Sequence, residues 1–179
     1  ALTRRTTIRT PLIEVPGLAA ASGAARVFVK AESLQRAGSF KIRGATWRIA
    51  QLSESERKQG VVAFSSGNFA QGLAAAGRDA GVPVTIVMPE DAPEMKRRAT
   101  EGWGARVVLS HHGERPREEA ASALARQVAA DEALTLLHPF DDPAVVAGHA
   151  GVAIEALEQM AEAAAAPDIV ASPTGGGGL

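Results

Sequence analysis

The segment Ala37-Gly38-Ser39-Phe40-Lys41-Ile42-Arg43-Gly44-Ala45 places one lysine where a loop of small residues turns into a helix, with an aromatic ring beside it. An amine aimed into a cleft of such groups is desolvated. That lowers its pKa and frees its lone pair to form a Schiff base with a carbonyl. Two later segments complement it. Ser65-Ser66-Gly67-Asn68-Phe69-Ala70-Gln71-Gly72 offers hydroxyls and free N–H groups on the scale of a carboxylate. Pro173-Thr174-Gly175-Gly176-Gly177-Gly178-Leu179 offers consecutive glycine N–H groups that can point at one phosphate.

Each feature also has an ordinary reading. A lone lysine on a helix is usually a solvated charge, four glycines are usually a linker, and Ser66 or Asn68 would serve as a helix N-cap. Their shared position at the carboxyl ends of strands favours the chemical reading, because ligands of α/β sheets bind there. Other chemistries lack their residues. No Gly-Lys-Ser/Thr follows the glycines, so this is not a Walker loop, and no Gly-x-Ser-x-Gly elbow supports a serine hydrolase. His111, His112, His138 and His149 form no ligand set, and no metal is assigned. The absence of cysteine removes disulfides, thiolate metal sites and thiol nucleophiles. A lysine, a carboxylate-sized loop and an anion nest are together what pyridoxal 5'-phosphate, an aldehyde bearing a phosphate, requires.

The elements that must position these residues follow from the apolar pattern. Val27 to Ala31 reads as a strand, Ser39 as the N-cap of a helix over Phe40 to Leu52, and Ser53 with Glu56 as a capping box. Strands are expected at Val61–Phe64, Val82–Met88, Ala105–Leu109, Leu134–His138 and Asp168–Ala171. Helices are expected at Asn68–Ala80, closed by Gly81, and at Pro93–Thr100, Glu114–Asp131 and Gly151–Ala165. This alternation predicts an α/β fold of parallel sheets with helices on both faces. The expected division is one domain from 1–47 and 143–179 and a smaller α/β domain from 48–142. With 19 basic and 20 acidic residues the net charge is -1, which gives no footprint for nucleic acid or an anionic membrane. No apolar run approaches the roughly 20 residues of a membrane span, and Ala1 to Pro11 lacks the core of a secretory signal. A cytoplasmic location is therefore expected.

On these residues the chain resembles the threonine/serine dehydratase family of fold-type II pyridoxal phosphate enzymes, which includes serine racemase. Arg9-Thr10-Pro11-Leu12, Lys30-Ala31-Glu32-Ser33-Leu34-Gln35, Gly38 to Ala45, Ile86-Val87-Met88-Pro89 and His138-Pro139-Phe140-Asp141-Asp142-Pro143 carry the likeness. Lys41-Ile42-Arg43 and Gly67-Asn68-Phe69 fit this branch better than the related β-replacement enzymes, which usually have Lys-Asp-Arg and Gly-Asn-Thr. The resemblance implies a tryptophan synthase β-like architecture whose large domain is incomplete here. A chain that stops just after the glycines, where a helix is expected, reads as truncated. By the same resemblance Lys41 carries the Schiff base, Phe40 packs on the pyridine ring and Asn68 bonds the cofactor's 3-oxygen. Gly175, Gly176, Gly177, Gly178 and Leu179 cradle the phosphate, and Ser65, Ser66, Gly67, Asn68 and Gln71 surround the substrate carboxylate.

The implied reaction converts L-threonine or L-serine to a 2-oxo acid and ammonia, with Lys41 removing the Cα proton. The complete protein is expected to be a homodimer or tetramer. Three departures bear on this. Phe69 stands where many members have histidine, and Gly148-His149-Ala150-Gly151 replaces the usual Gly-Gln-Gly-Thr. Ser66 stands where racemase has the serine that acts on the opposite face of Cα. Racemisation is thus the alternative chemistry, and a catalytically silent amino-acid-binding fragment is a third reading.

Overall fold

A computed structural model of the chain describes residues 6–179. The first five residues of the basic N-terminal stretch lie outside the described part. Strand β1 (Leu12–Glu14) pairs antiparallel with β2 (Phe28–Lys30), and the short helix α1 (Pro16–Ser22) joins them. The Lys41 helix, α2, spans Lys41–Ala50, and α3 spans Glu54–Gln59 behind a capping box in which Ser53 and Glu56 bond each other's backbone N–H. The chain then alternates through β3 (Val61–Phe64), α4 (Asn68–Ala80), β4 (Val84–Pro89), α5 (Glu94–Gly102), β5 (Arg106–Ser110), α6 (Arg117–Glu132) and β6 (Thr135–Leu136). It ends in α7 (Pro143–His149) and α8 (Gly151–Glu162). The last four strands form one parallel sheet in the order β5-β4-β3-β6.

Alternation along the strands sends side chains to two different cores. Val61, Ala63, Ile86 and Met88 pack with Ile42, Ile49, Leu73 and Val145, whereas Val62 and Val87 pack with Ala121 and Ala125 of α6. Both faces of the sheet are therefore covered, as uniformly apolar parallel strands require. Complete burial of side chains such as Ile42, Leu73 and Ile86 stabilises the fold by roughly 1.5–3 kcal/mol each. Small residues let α4 come very close to α2. A Cβ added at Gly72 would lie 2.8 Å from the Ile42 nitrogen and 3.0 Å from the Lys41 carbonyl carbon. The α2–α7 crossing is equally tight: a Cβ on Gly148 would lie 2.7 Å from the Gly44 Cα.

Three expectations are corrected. Asp168–Ala171 is not a strand. An apolar run becomes a strand only when a neighbour takes up its backbone groups, and none of the described strands does so; Ile169 and Val170 are 87% and 82% exposed. The strand expected at Leu134–His138 shrinks to Thr135–Leu136, because Pro139 and the bonds of the His138 ring to the Phe140 and Asp141 N–H groups turn the chain early. The strand around Val29 joins an antiparallel pair instead of a parallel sheet. Helix α7 adds to the expected elements: Asp142 caps it through the Ala144 and Val145 N–H groups, and Pro143 occupies its first position.

Candidate active site

Lys41 is the first residue of α2. Phe40 takes the N-cap position in helical conformation, and the Ser39 hydroxyl accepts from the Lys41 N–H at 3.4 Å, so Ser39 stands one residue outside its expected place. The Lys41 Nζ donates to the Pro139 carbonyl at 3.0 Å and lies 5.1 Å from the centre of the Phe40 ring. Desolvation lowers its pKa below the ordinary 10.5. This amine stands on the wall of a cleft of about 340 Å3 that Ser65, Ser66, Gly67 and Asn68 also line.

Strand β3 and helix α4 deliver that second wall. The Ser65 N–H continues the sheet by donating to Val87, and its hydroxyl accepts from the Gly67 N–H at 3.2 Å. Gly67 is the N-cap of α4, and no side chain caps this helix. The ordinary reading of Ser66 or Asn68 as the cap is thus not met. The start of α4 offers N–H groups and the positive end of its dipole without a capping side chain.

The remaining expected residues lie around this cleft. Gln71 is half-buried one turn further along α4 and does not line it. The glycines stand behind Phe140, which lines the cleft. A Cβ on Gly176 would come within 2.5 Å of the Phe140 ring, and one on Gly178 within 2.9 Å of its Cβ. Gly177 takes a φ of 76°, which favours glycine. Leu179 does not line the cleft, and Phe40 packs edge-on against His149 with centroids 4.8 Å apart.

Sequence reasoning missed Glu118, Pro139 and Phe140 on the cleft wall. It also missed a buried charge cluster two residues from Lys41. Arg43 donates to both carboxylate oxygens of Glu32 and both of Glu155, while Lys30 donates to Glu155, to Gln159 and to the Thr10 carbonyl. Burial alone would depress the Arg43 pKa, but the bonds from the two carboxylates outweigh it and hold the guanidinium above its ordinary value. Two cations and two anions balance, and they tie α2 to α8 and to the segment after β2. No group of residues suited to a metal is found among the described residues, and no described helix is long and apolar enough to cross a membrane.

A family model described as pyridoxal-phosphate dependent enzyme matches residues 4–179. The chain belongs to that family. Among curated relatives, L-threo-3-hydroxyaspartate ammonia-lyase of Saccharomyces cerevisiae is 43% identical over 87% of this chain and 45% of its own length. A catabolic L-threonine dehydratase of Staphylococcus aureus is 39% identical over 96% of this chain and 47% of its own. Of solved structures, the threonine deaminase of T.th. superposes with a TM-score of 0.88 at 38% identity, over 99% of this chain and 55% of that one. The serine racemase of Dictyostelium discoideum gives 0.79 at 35% identity, over 88% of this chain and 50% of that one. The chain thus spans about half the length of these relatives.

The Lys41 side fits the family's cofactor: a desolvated amine suits the pyridoxal aldehyde, and Asn68 lines the same cleft. The uncapped start of α4 on that cleft offers N–H groups to a carboxylate, and glycines 175–178 do not line it.

Proposed function

We propose that this chain carries the reactive lysine of a pyridoxal phosphate-dependent ammonia-lyase that converts L-threonine or L-serine to a 2-oxo acid and ammonia. The observation behind this reading is the placement of the Lys41 amine and the Ser65–Asn68 loop on one cleft. The names of the relatives, a threonine dehydratase and a hydroxyaspartate ammonia-lyase, support the reaction class.

The cofactor, bound through Lys41 and held by Asn68 and the glycines 175–178, would supply an electron sink for negative charge at the substrate Cα. The residues of this chain do the rest. Lys41 is freed when the substrate amine takes its place, and desolvation then keeps a larger neutral fraction of its amine than a surface lysine has, so Nζ can accept the Cα proton. The Pro139 carbonyl orients that nitrogen. Ser65, Ser66 and the Gly67 backbone orient the substrate carboxylate, with Gln71 behind them. Phe64, Phe69 and Phe140 give the cleft apolar walls that limit water. The division into domains 1–47 with 143–179 and 48–142 belongs to the same proposal, as does assembly of the complete protein into a dimer or tetramer.

Ser66 favours a second reading. Ser66 lines the same cleft as Lys41, so its hydroxyl is a candidate second proton-transfer group and racemisation is the competing outcome. Borohydride trapping with pyridoxal phosphate, followed by peptide mapping and assays for 2-oxo acid and D-serine, separates the readings. Label confined to Lys41 with 2-oxo acid released supports the lyase, and D-serine as main product supports racemisation. Label without turnover leaves a binding fragment, and label scattered over the lysines refutes the site.

A further inference from the structure

His149 ends helix α7 and is 2% exposed. Its ring touches two parts of the candidate site. One edge packs on Phe40, next to Lys41, and Nδ1 donates to the Gly178 carbonyl. A carbonyl only accepts, so the proton sits on Nδ1 and Nε2 keeps its lone pair. Nε2 is buried without a hydrogen-bond partner among the described residues. It faces Gly44, where even one added Cβ would lie 2.7 Å from the ring's Cδ2 and 2.6 Å from the Val145 carbonyl.

We infer that His149 is a positioning residue, tying the glycine segment to the lysine helix while its ring is neutral and releasing it when the ring takes a second proton. The inference rests on the reading of the glycines as the cofactor's phosphate loop only for its role in binding. Gly175, Gly176 and Gly177 are exposed, so few contacts other than Phe140 and this hydrogen bond hold the segment. A second proton would place a donor on Nε2 with no acceptor and a charge in a buried pocket, and both costs are relieved when the ring swings to water. Burial foremost, then the Lys41 and Arg43 cations, hold the ring's pKa below the ordinary value; the Gly178 bond and the Glu32 carboxylate act the other way. Helix α7 itself carries no other titratable group. The tie is therefore closed at neutral pH and opens in acid.

Backbone 15N order parameters of residues 175–179 test this from about pH 8 to about pH 5. In the unaltered chain they fall from the rigid range of about 0.85 to below about 0.6 on acidification. The midpoint follows the titration of the His149 ring read by 15N NMR. His149→Leu is mobile at every pH. His149→Asn, which keeps an N–H near the place of Nδ1, stays rigid and no longer responds to pH. Equal order parameters in the unaltered chain and His149→Asn at every pH overturn the inference, even if His149→Leu does not fold. Pyridoxal phosphate affinity, read by absorbance, then separates the two readings. An about tenfold weaker His149→Leu supports the tie's role in binding, and unchanged affinity overturns that role. A chain that shows this mobility pattern yet binds no pyridoxal phosphate refutes the cofactor site and leaves the tie standing.

Discussion

Arg43 and Glu155 meet across 112 residues of sequence through two buried hydrogen bonds of 2.9 and 2.8 Å. The same guanidinium holds Glu32, so its removal leaves two carboxylates short of a partner in a nearly dry site. Arg43→Met is expected to destabilise the chain by about 3–5 kcal/mol. Urea denaturation checks this. The double variant Arg43→Met/Glu155→Met should cost less than the two single changes added together, because no buried charge is then orphaned at that pair.

Acid should weaken the same cluster. Burial would raise the Glu155 pKa, but the bonds from Arg43 and Lys30 outweigh it and hold the carboxyl below its ordinary 4.5. A depressed folded-state pKa means that the unfolded chain binds more protons over this window. The contribution is complete above about pH 4.5 and is lost as pH falls through the lower folded-state value. Denaturation midpoints measured from about pH 7 to about pH 3 should fall on that limb. Glu155→Gln, although less stable throughout, should show a shallower fall.

Lys41 should react with pyridoxal phosphate at lower pH than a surface amine. Desolvation depresses its pKa, so the neutral nucleophile is populated below the ordinary 10.5. The rate of borohydride-trapped labelling at Lys41 against pH is therefore expected to reach its midpoint below that value. Exposed Lys58, paired with Glu54, supplies the comparison label. Lys41→Arg keeps a cation near Pro139 yet should abolish the label at this position.

Gly72→Ala should push α4 away from the start of α2. Its Cβ would stand 2.8 Å from the Ile42 nitrogen, a backbone atom that cannot swing aside. Overpacking of about 1–3 kcal/mol competes with a gain of about 1 kcal/mol in helix propensity, and the collision should win. Gly102→Ala is the control, since nothing lies within 4 Å of its Cβ position and it should be neutral or slightly stabilising. Thermal melts of both variants decide the point, and Lys41 labelling should slow only in Gly72→Ala.

The glycine segment offers a paired test. Gly176→Ala meets the Phe140 ring, whereas Gly175→Ala meets nothing within 4 Å. The first should displace the segment and lower its backbone order parameters, and the second should not. Phe140→Ala alone should also loosen the segment, because it removes a contact that holds it.

Local patterns made much of the fold legible. Asn68 to Gly81 and the Ser53–Glu56 box are written in adjacent residues, and the structure has them as read. Lys41 stands out because small and aromatic neighbours mark a cleft-facing amine. The strand expected around Ile169 fails because apolar character does not supply a pairing neighbour. The Arg43–Glu155 pair is invisible for a related reason: nothing near either residue announces a partner more than a hundred positions away. His149 reads as an isolated ring, since its contacts with Phe40 and Gly178 arise only when three separated segments converge. The signal for α7 is present all the same, in Asp142 followed by Pro143.

The bond from Lys41 to the Pro139 carbonyl spans 98 residues. At about 5–20 residues per second of synthesis, roughly 5 to 20 seconds separate the making of the lysine from the making of its acceptor. Over that interval a nascent chain presents position 41 as an ordinary hydrated amine. Its lowered pKa is acquired only on burial, and its Pro139 acceptor is made after that interval, so the reactive group stays an ordinary amine until its site is built.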